Sequence, residues 1–253
     1  MPERSSYPEG APCWADVNAA DAVAAGRFYR GVFGWDLEDM GEQYGHYTIA
    51  TVDGRTVAAI TPPPPGGEDA PSMWTVYLKS DDAASTASAV EKAGGSIVMP
   101  TMEVPGQGVM GLVADPTGAI FGIWQPGGHT GAQLFGENGA INWAEAHTPD
   151  GPAADTFYTT VFPLTGEPIE GGGIDFTVLK SGDDMVGGRY SEPGLDPHWR
   201  VYFQVADVDA AVANVREGSG TVLSEPEDTP YGRMAVVADP NGASFALMTP
   251  PPR

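Results

Sequence analysis

Two stretches of alternating residues carry the most chemistry in this chain: Trp14-x-Asp16-x-Asn18 and Trp143-x-Glu145-x-His147. Side chains two apart on an extended strand share a face, so each stretch lines up an indole, a carboxylate and a polar tip. Glu145 and His147 are the most reactive-looking pair. Their Cα atoms stand roughly 6.5 Å apart in a strand, which lets the carboxylate orient or recharge the imidazole for proton transfer. The plainer alternative is a strand-end histidine facing water beside a glutamate that pairs with Arg200. Thr75, Tyr77 and Lys79, and Arg200, Tyr202 and Gln204, repeat the two-residue spacing on two further apolar stretches.

The elements that must hold these residues occur twice. Trp14, Phe28-Tyr29 and Val32-Phe33 recur as Trp143, Phe157-Tyr158 and Val161-Phe162 at one constant offset. Trp74-x-Val76-Tyr77 matches Trp199-x-Val201-Tyr202, and Asp115-Pro116-Thr117-Gly118-Ala119 matches Asp239-Pro240-Asn241-Gly242-Ala243. The offset changes only twice, first in the loop holding Pro62 to Pro65. Agreement of this kind marks an internal duplication.

Each copy reads in the same order. A strand (Cys13 to Asn18; Ile141 to His147) runs into a helix that ends at Phe33 or Phe162. Asp21 and Asp150 stand at the helix starts, where a carboxylate caps free N–H groups. Ala24, Ala25, Phe28 and Val32, and Ala154, Phe157 and Val161, give each helix one apolar face. A short strand and a hairpin follow, turning at Asp53-Gly54 in the first copy, a pair suited to positive φ. A middle strand (Met73 to Lys79; Trp199 to Val205) leads to an Ala-rich helix stopping at Gly94-Gly95 or Gly218. Short strands then bracket the Asp-Pro-x-Gly turns. Each copy is therefore βαβββ twice, an α+β architecture, with domains over 10–126 and 140–250 and a glycine-rich connector over 127–139.

With Phe-Tyr on the first helix, Gly34-Trp35 after it and Asp-Pro-x-Gly-Ala before the last strand, the chain resembles the vicinal-oxygen-chelate superfamily. That superfamily holds glyoxalases, bleomycin-resistance proteins and dioxygenases, and the two-copy actinobacterial members labelled glyoxalase-like or hydroxylase are the most similar. The resemblance implies that two βαβββ units form a curved sheet around a ligand-binding cup. In metal-dependent relatives, His or Glu stands at four inward strand positions. These fall here on Trp14, Ala59, Thr75 and Gly122 in one copy, and on Trp143, Gly188, Arg200 and Ala246 in the other. None of these side chains is an imidazole, carboxylate or thiolate of the kind a divalent ion needs. No cofactor is therefore expected, with a divalent metal held elsewhere as the alternative.

On that fold the expected cup lining is Trp14, Asp16, Thr75, Tyr77 and Trp124 in one copy, and Trp143, Glu145, His147, Arg200, Tyr202 and Met248 in the other. Aromatic walls with a few polar groups suit a small, partly apolar organic ligand, a natural product or drug among them. Both tryptophans could equally fill the cups as core. The rival is an enzyme of this fold: a lyase, isomerase, cyclase or dioxygenase-like protein using Glu145 and His147, or a metal site placed elsewhere. A third reading makes one copy a packing partner and has the protein act through another chain. His46 is matched by Asp175 in the other copy, His129 lies in the connector, and His198 follows Pro197 where a ring commonly faces solvent. Cys13 lacks a nearby base or cation to activate it.

The 253 residues carry 34 acidic and 12 basic side chains, a formal net charge of −22. Such a surface disfavours nucleic acid and anionic membranes as partners. No apolar run reaches the roughly 18–20 residues that span a bilayer, and Met1 to Gly10 lacks a signal-peptide core. A cytoplasmic monomer or homodimer with a small organic ligand is the expectation.

Overall fold

Helix starts in this chain are written in aspartate. Asp21, Asp82, Asp150 and Asp207 each accept a hydrogen bond from a backbone N–H three residues on, at 2.8, 3.0, 3.1 and 3.0 Å. They satisfy donors that the first helical turn otherwise leaves free. The computed structural model describes residues 4–63, 71–169 and 173–250, so Pro64 and Pro65 of the loop noted above lie outside the described residues.

The first copy contains β1 (Pro12–Asn18), α1 (Ala22–Phe33), β2 (Asp36–Asp39), β3 (Thr48–Val52), β4 (Arg55–Thr61), β5 (Trp74–Lys79), α2 (Ala83–Lys92), β6 (Ser96–Val104), β7 (Gly108–Ala114) and β8 (Ile120–Pro126). The second contains β9 (Ile141–Thr148), α3 (Gly151–Val161), β10 (Thr165–Pro168), β11 (Asp175–Ser181), β12 (Asp184–Ser191), β13 (His198–Gln204), α4 (Val208–Glu217), β14 (Thr221–Thr229), β15 (Gly232–Ala238) and β16 (Ser244–Met248). Each copy forms one 8-stranded sheet, ordered β2-β3-β4-β1-β5-β8-β7-β6 and β10-β11-β12-β9-β13-β16-β15-β14. This is the doubled βαβββ order expected from the repeat. The hairpin at Asp53-Gly54 has positive φ at both residues, 50° and 75°, as its tight turn requires.

The period of two decides which face does what. Ala15, Val17, Val76 and Leu78 belong to one core that also takes in residues of the second copy, among them Val201, Phe203 and Phe245. In that core α1 packs on α4, α2 packs on α3, and the central strands β5 and β13 of the two sheets approach each other. Trp14, Ala59 and Tyr77, on the opposite face, belong to a separate cluster. The cups therefore face away from that core.

Aromatic residues tie the copies together. Phe33 meets Phe203 with ring centroids 4.9 Å apart, Tyr29 meets Phe245 at 5.7 Å, and Phe121 meets Tyr158 at 5.8 Å. Tyr29 donates to Asp239 Oδ2 at 3.1 Å and Tyr158 donates to Asp115 Oδ2 at 3.0 Å. The Phe-Tyr landmark of each copy thus engages the Asp-Pro-x-Gly landmark of the other. No helix among the described residues is long and apolar enough to cross a membrane.

Candidate functional site in two unlike cups

Strand pairing sets matching rows on the outer faces. In the first sheet Asp16 stands between Ala59 and Thr75, and Tyr77 between Trp14 and Gly122. In the second, Glu145 stands between Gly188 and Arg200, and Tyr202 between Trp143 and Ala246. The frame is common to both; the side chains on it diverge.

The first cup closes on itself. Trp14, Asp16, Thr75, Tyr77 and Trp124 are all buried. Asp16 Oδ2 accepts from the hydroxyls of Tyr47 and Tyr77, both at 3.0 Å, and Trp14 Nε1 donates to the Tyr47 hydroxyl at 2.8 Å. Burial lifts the Asp16 carboxyl from its ordinary 3.8 to about 7, against the two tyrosine hydrogen bonds that favour its ionised form. His129 from the connector fits between the indoles, 4.4 Å from Trp14 and 5.6 Å from Trp124 by ring centroids. Trp124 Nε1 donates to the His129 carbonyl at 3.0 Å. The His129 Nε2 atom is buried without a partner. Ala132 N bonds to the Cys13 carbonyl at 2.8 Å, and Gln133 N to that of Thr56 at 2.8 Å, stitching the connector to this sheet.

The second cup concentrates titratable groups. Glu145 Oε1 lies 2.9 Å from His147 Nε2 and also accepts from the Tyr202 hydroxyl. Trp143 Nε1 donates to Glu145 Oε2 at 3.3 Å. Burial works to raise the Glu145 carboxyl, but the hydrogen bonds from His147 and Tyr202 and the charge of Arg200 hold it below its ordinary value. An ionised carboxylate only accepts, so the nitrogen facing it, His147 Nε2, is the donor of this contact. His147 stands between Tyr190 and His198 in the strand register. It stacks on His198 at 4.7 Å and meets Tyr190 at 5.2 Å. His198 Nδ1 faces the Asp196 carbonyl at 2.8 Å, and its Nε2 faces Arg200 Nη2 at 3.2 Å. Burial lowers the His198 pKa to about 4, which fits a neutral ring donating from Nδ1 and accepting at Nε2.

Residues expected to line the cups are distributed unequally. Glu145, His147 and Tyr202 are buried, while Trp143, Arg200 and Met248 are half-buried. Met248 Sδ lies 3.4 Å from Asn142 Nδ2. Asn18 closes a strand end, donating to the Pro71 carbonyl at 3.1 Å and accepting from Met73 N at 2.8 Å. Lys79 pairs with Asp81. His198 is half-buried against His147, correcting the expectation of a solvent-facing ring. Cys13 is buried, and burial raises its thiol pKa. Arg200 forms no ion pair among the described residues, so the expected Glu145–Arg200 pairing is replaced by the contacts to His147, Tyr202 and Trp143.

The strand positions expected from the resemblance to hold metal ligands carry no imidazole, carboxylate or thiolate. A Cβ added at Gly122 would stand 2.0 Å from the Tyr77 ring, and one at Gly188 would stand 2.5 Å from the Phe176 ring. Aromatic rings occupy the space a ligating side chain would need. No three His, Cys, Asp or Glu side chains among the described residues are grouped to hold an ion.

Two surface depressions lie outside the cups. One of about 310 Å³ is bordered by Tyr7, Lys79 and Gln125, the other of about 220 Å³ by Phe33, Asn138 and Asp207. Their charged groups are an ion-paired lysine, its partner and a helix cap. Tyr47, His129, Tyr190 and His198 were not among the expected lining residues. Tyr47 and Tyr190 follow the strand alternation and could have been read from it; His129 lies on an irregular path that no local pattern specifies.

Comparison with known proteins adds the following. The family model of the Glyoxalase/Bleomycin resistance protein/Dioxygenase superfamily matches residues 14–123 and 124–247. The Mycobacterium tuberculosis protein named "Putative glyoxylase CFP32" is 41% identical over 260 residues, covering 100% of both chains. "Anthracycline biosynthesis protein DnrV" of Streptomyces peucetius is 38% identical over 261 residues, covering 96% of this chain and 94% of the other. A Mn(II)-bound glyoxalase from Novosphingobium aromaticivorans superposes with a TM-score of 0.66 at 16% identity, over 96% of this chain and 82% of that one. The 2,2',3-trihydroxybiphenyl 1,2-dioxygenase of Sphingomonas wittichii gives 0.65 at 16%, over 96% and 91%. At such identities the structural likeness speaks to the fold alone.

Proposed function

The chain belongs to the glyoxalase/bleomycin resistance protein/dioxygenase superfamily, and on that frame we propose that it binds a small organic molecule in its second cup without a metal ion. The contrast between equivalent indoles carries this reading. Trp14 is 4% exposed and sealed by Tyr47 and His129, whereas Trp143 is half-buried beside Glu145. An indole face next to fixed hydrogen-bonding groups suits a planar, partly polar ligand. The relative named for anthracycline biosynthesis supports a natural product as the ligand class. The side chains at the family's metal positions, and the rings packed against Gly122 and Gly188, support binding by contact and polarity.

Fluorescence titration with a panel of planar aromatic natural products tests the proposal. Quenching is expected in the wild-type chain and in Trp14→Phe, and is expected to disappear in Trp143→Phe. Elemental analysis giving one tightly held divalent ion per chain would overturn the metal-free part.

A second reading is favoured by the 2.9 Å contact between Glu145 and His147. With Glu145 held ionised beside it, His147 is equipped for proton transfer with a bound ligand, as in an isomerase or cyclase. A positioned general base contributes about 10²–10⁴ in rate. Replacing His147 with alanine should therefore lower the turnover number of any substrate found by about 10²–10⁴-fold.

A further inference from the structure

Arg189 and Arg200, both in the second copy, are treated differently. Arg189 is saturated: it donates to Asp155 at 2.9 and 2.7 Å, to Asp175 Oδ1 at 2.6 Å and to Thr177 at 2.5 Å. Arg200 is not. Its Nη2 meets the His198 ring at 3.2 Å and the guanidinium also touches the Tyr202 hydroxyl, but its Nε is buried without a partner. Among the described residues no carboxylate pairs with it. A buried N–H on a charged group that lacks an acceptor is costly, and such atoms call for an explanation.

The surroundings say what the missing acceptor is. Arg200 stands across from Glu145, and Tyr202 beside it stands across from Trp143. Glu145 is already occupied by His147, Tyr202 and Trp143, so it is not free to take the guanidinium. His198 is fixed through Nδ1 by the Asp196 carbonyl and steadies one edge of the fork. The equivalent position in the first cup is Thr75, buried and uncharged, so the cation is peculiar to the cup with the accessible indole.

We propose that Arg200 receives an oxyanion of the ligand, a carboxylate or an ionised phenol or enol, carried on a planar ring that lies against Trp143. A guanidinium presents parallel N–H donors that match such oxygens. The assignment rests on the second cup being the ligand site, and it adds the ligand's charge and shape. Arg200 is a binding and specificity-determining residue in this scheme, with His198 its positioning residue.

Titration of the full chain with 2-naphthoate and its neutral isostere 2-naphthamide tests it, with 2,4-dinitro-1-naphtholate as the ionised-phenol arm. The wild type should bind at least one of the two anions tighter than the amide by at least about tenfold. The better anion identifies carboxylate or phenolate as the preferred form. Arg200→Gln should bring the anion-to-amide ratio close to one while the amide still binds, and Arg200→Lys should fall between. Equal binding of acid and amide by the wild type, lost in Trp143→Phe, would overturn the charge assignment and leave the ligand site standing. The same holds for a preference that survives Arg200→Gln. Absence of binding by all three probes would overturn both. The wild-type comparison of acid with amide decides the matter even where a variant fails to fold.

Discussion

The Tyr29 hydroxyl donates to Asp239 Oδ2 at 3.1 Å across a separation of 210 residues, joining the first helix of one copy to the last turn of the other. Trp74 Nε1 in turn donates to that hydroxyl at 3.1 Å, and Tyr158, Asp115 and Trp199 repeat the arrangement. Tyr29→Phe leaves a buried carboxylate oxygen and a buried indole N–H short of a partner. A loss of about 1–3 kcal/mol is expected from urea unfolding, with a similar loss for Tyr158→Phe. Because one core spans both copies, each variant should still unfold in a single transition. Two separated transitions would show that the copies are independent.

Asp16 makes the stability of the chain pH-dependent in an unusual sense. Burial raises its carboxyl from 3.8 to about 7. The folded chain therefore keeps this proton in a range where the unfolded chain has released it, and stability falls as pH rises through that range. The contribution is on the order of 4 kcal/mol. Asp16→Asn cannot titrate, so the difference in stability between variant and wild type should shift in favour of the variant as pH rises from about 4 to about 8. Identical slopes in chemical unfolding would refute the assignment.

His129 acts with the opposite sign. Burial lowers its pKa from 6.5 to about 4, so the unfolded chain takes up the proton first. Its contribution is present above 6.5 and is lost as pH falls toward 4, on the order of 3 kcal/mol. His129→Phe keeps a ring between Trp14 and Trp124 and cannot titrate, so it should retain more of its stability on acidification. His198 responds alike, which means the variant removes only part of the acid sensitivity. Melting temperatures of both proteins at pH 7 and pH 4.5 measure the difference.

Tyr202 keeps Glu145 ionised. Removing its hydroxyl in Tyr202→Phe takes away one donor and should raise the Glu145 pKa, as read from carboxyl carbon shifts by nuclear magnetic resonance. Loss of a hydrogen bond to a charged group costs about 1.5–3 kcal/mol. An unchanged Glu145 titration would mean that His147 and Arg200 suffice.

The sequence made the scaffold readable because periodicity and turn chemistry are local. Asp21 and Asp150 cap their helices, Asp53-Gly54 turns its hairpin, and the alternation of Trp14, Asp16 and Trp143, Glu145, His147 places each set on one face. The contrast between the cups was not local. It depends on Tyr47 reaching Asp16 from a neighbouring strand and on His129 arriving from an irregular connector, and neither distance is encoded in spacing. Asn18 shared the alternation yet serves a strand end, because backbone groups at Pro71 and Met73 claim its amide. Ion pairing of Glu145 with Arg200 was a reasonable expectation from opposite charge. The nearer donors of His147 and Tyr202 win, since the carboxylate has few oxygens to share. Tyr29 and Tyr158 stood out as repeated landmarks, but their partners lie in the other copy.

The central claim is that only the second cup takes a ligand, and binding stoichiometry tests it most directly. Calorimetric titration of the wild-type chain with the tightest aromatic ligand found by quenching should give one site per chain, retained in Trp14→Phe and lost in Trp143→Phe. Two sites per chain, or a single site lost on changing Trp14, would contradict the account.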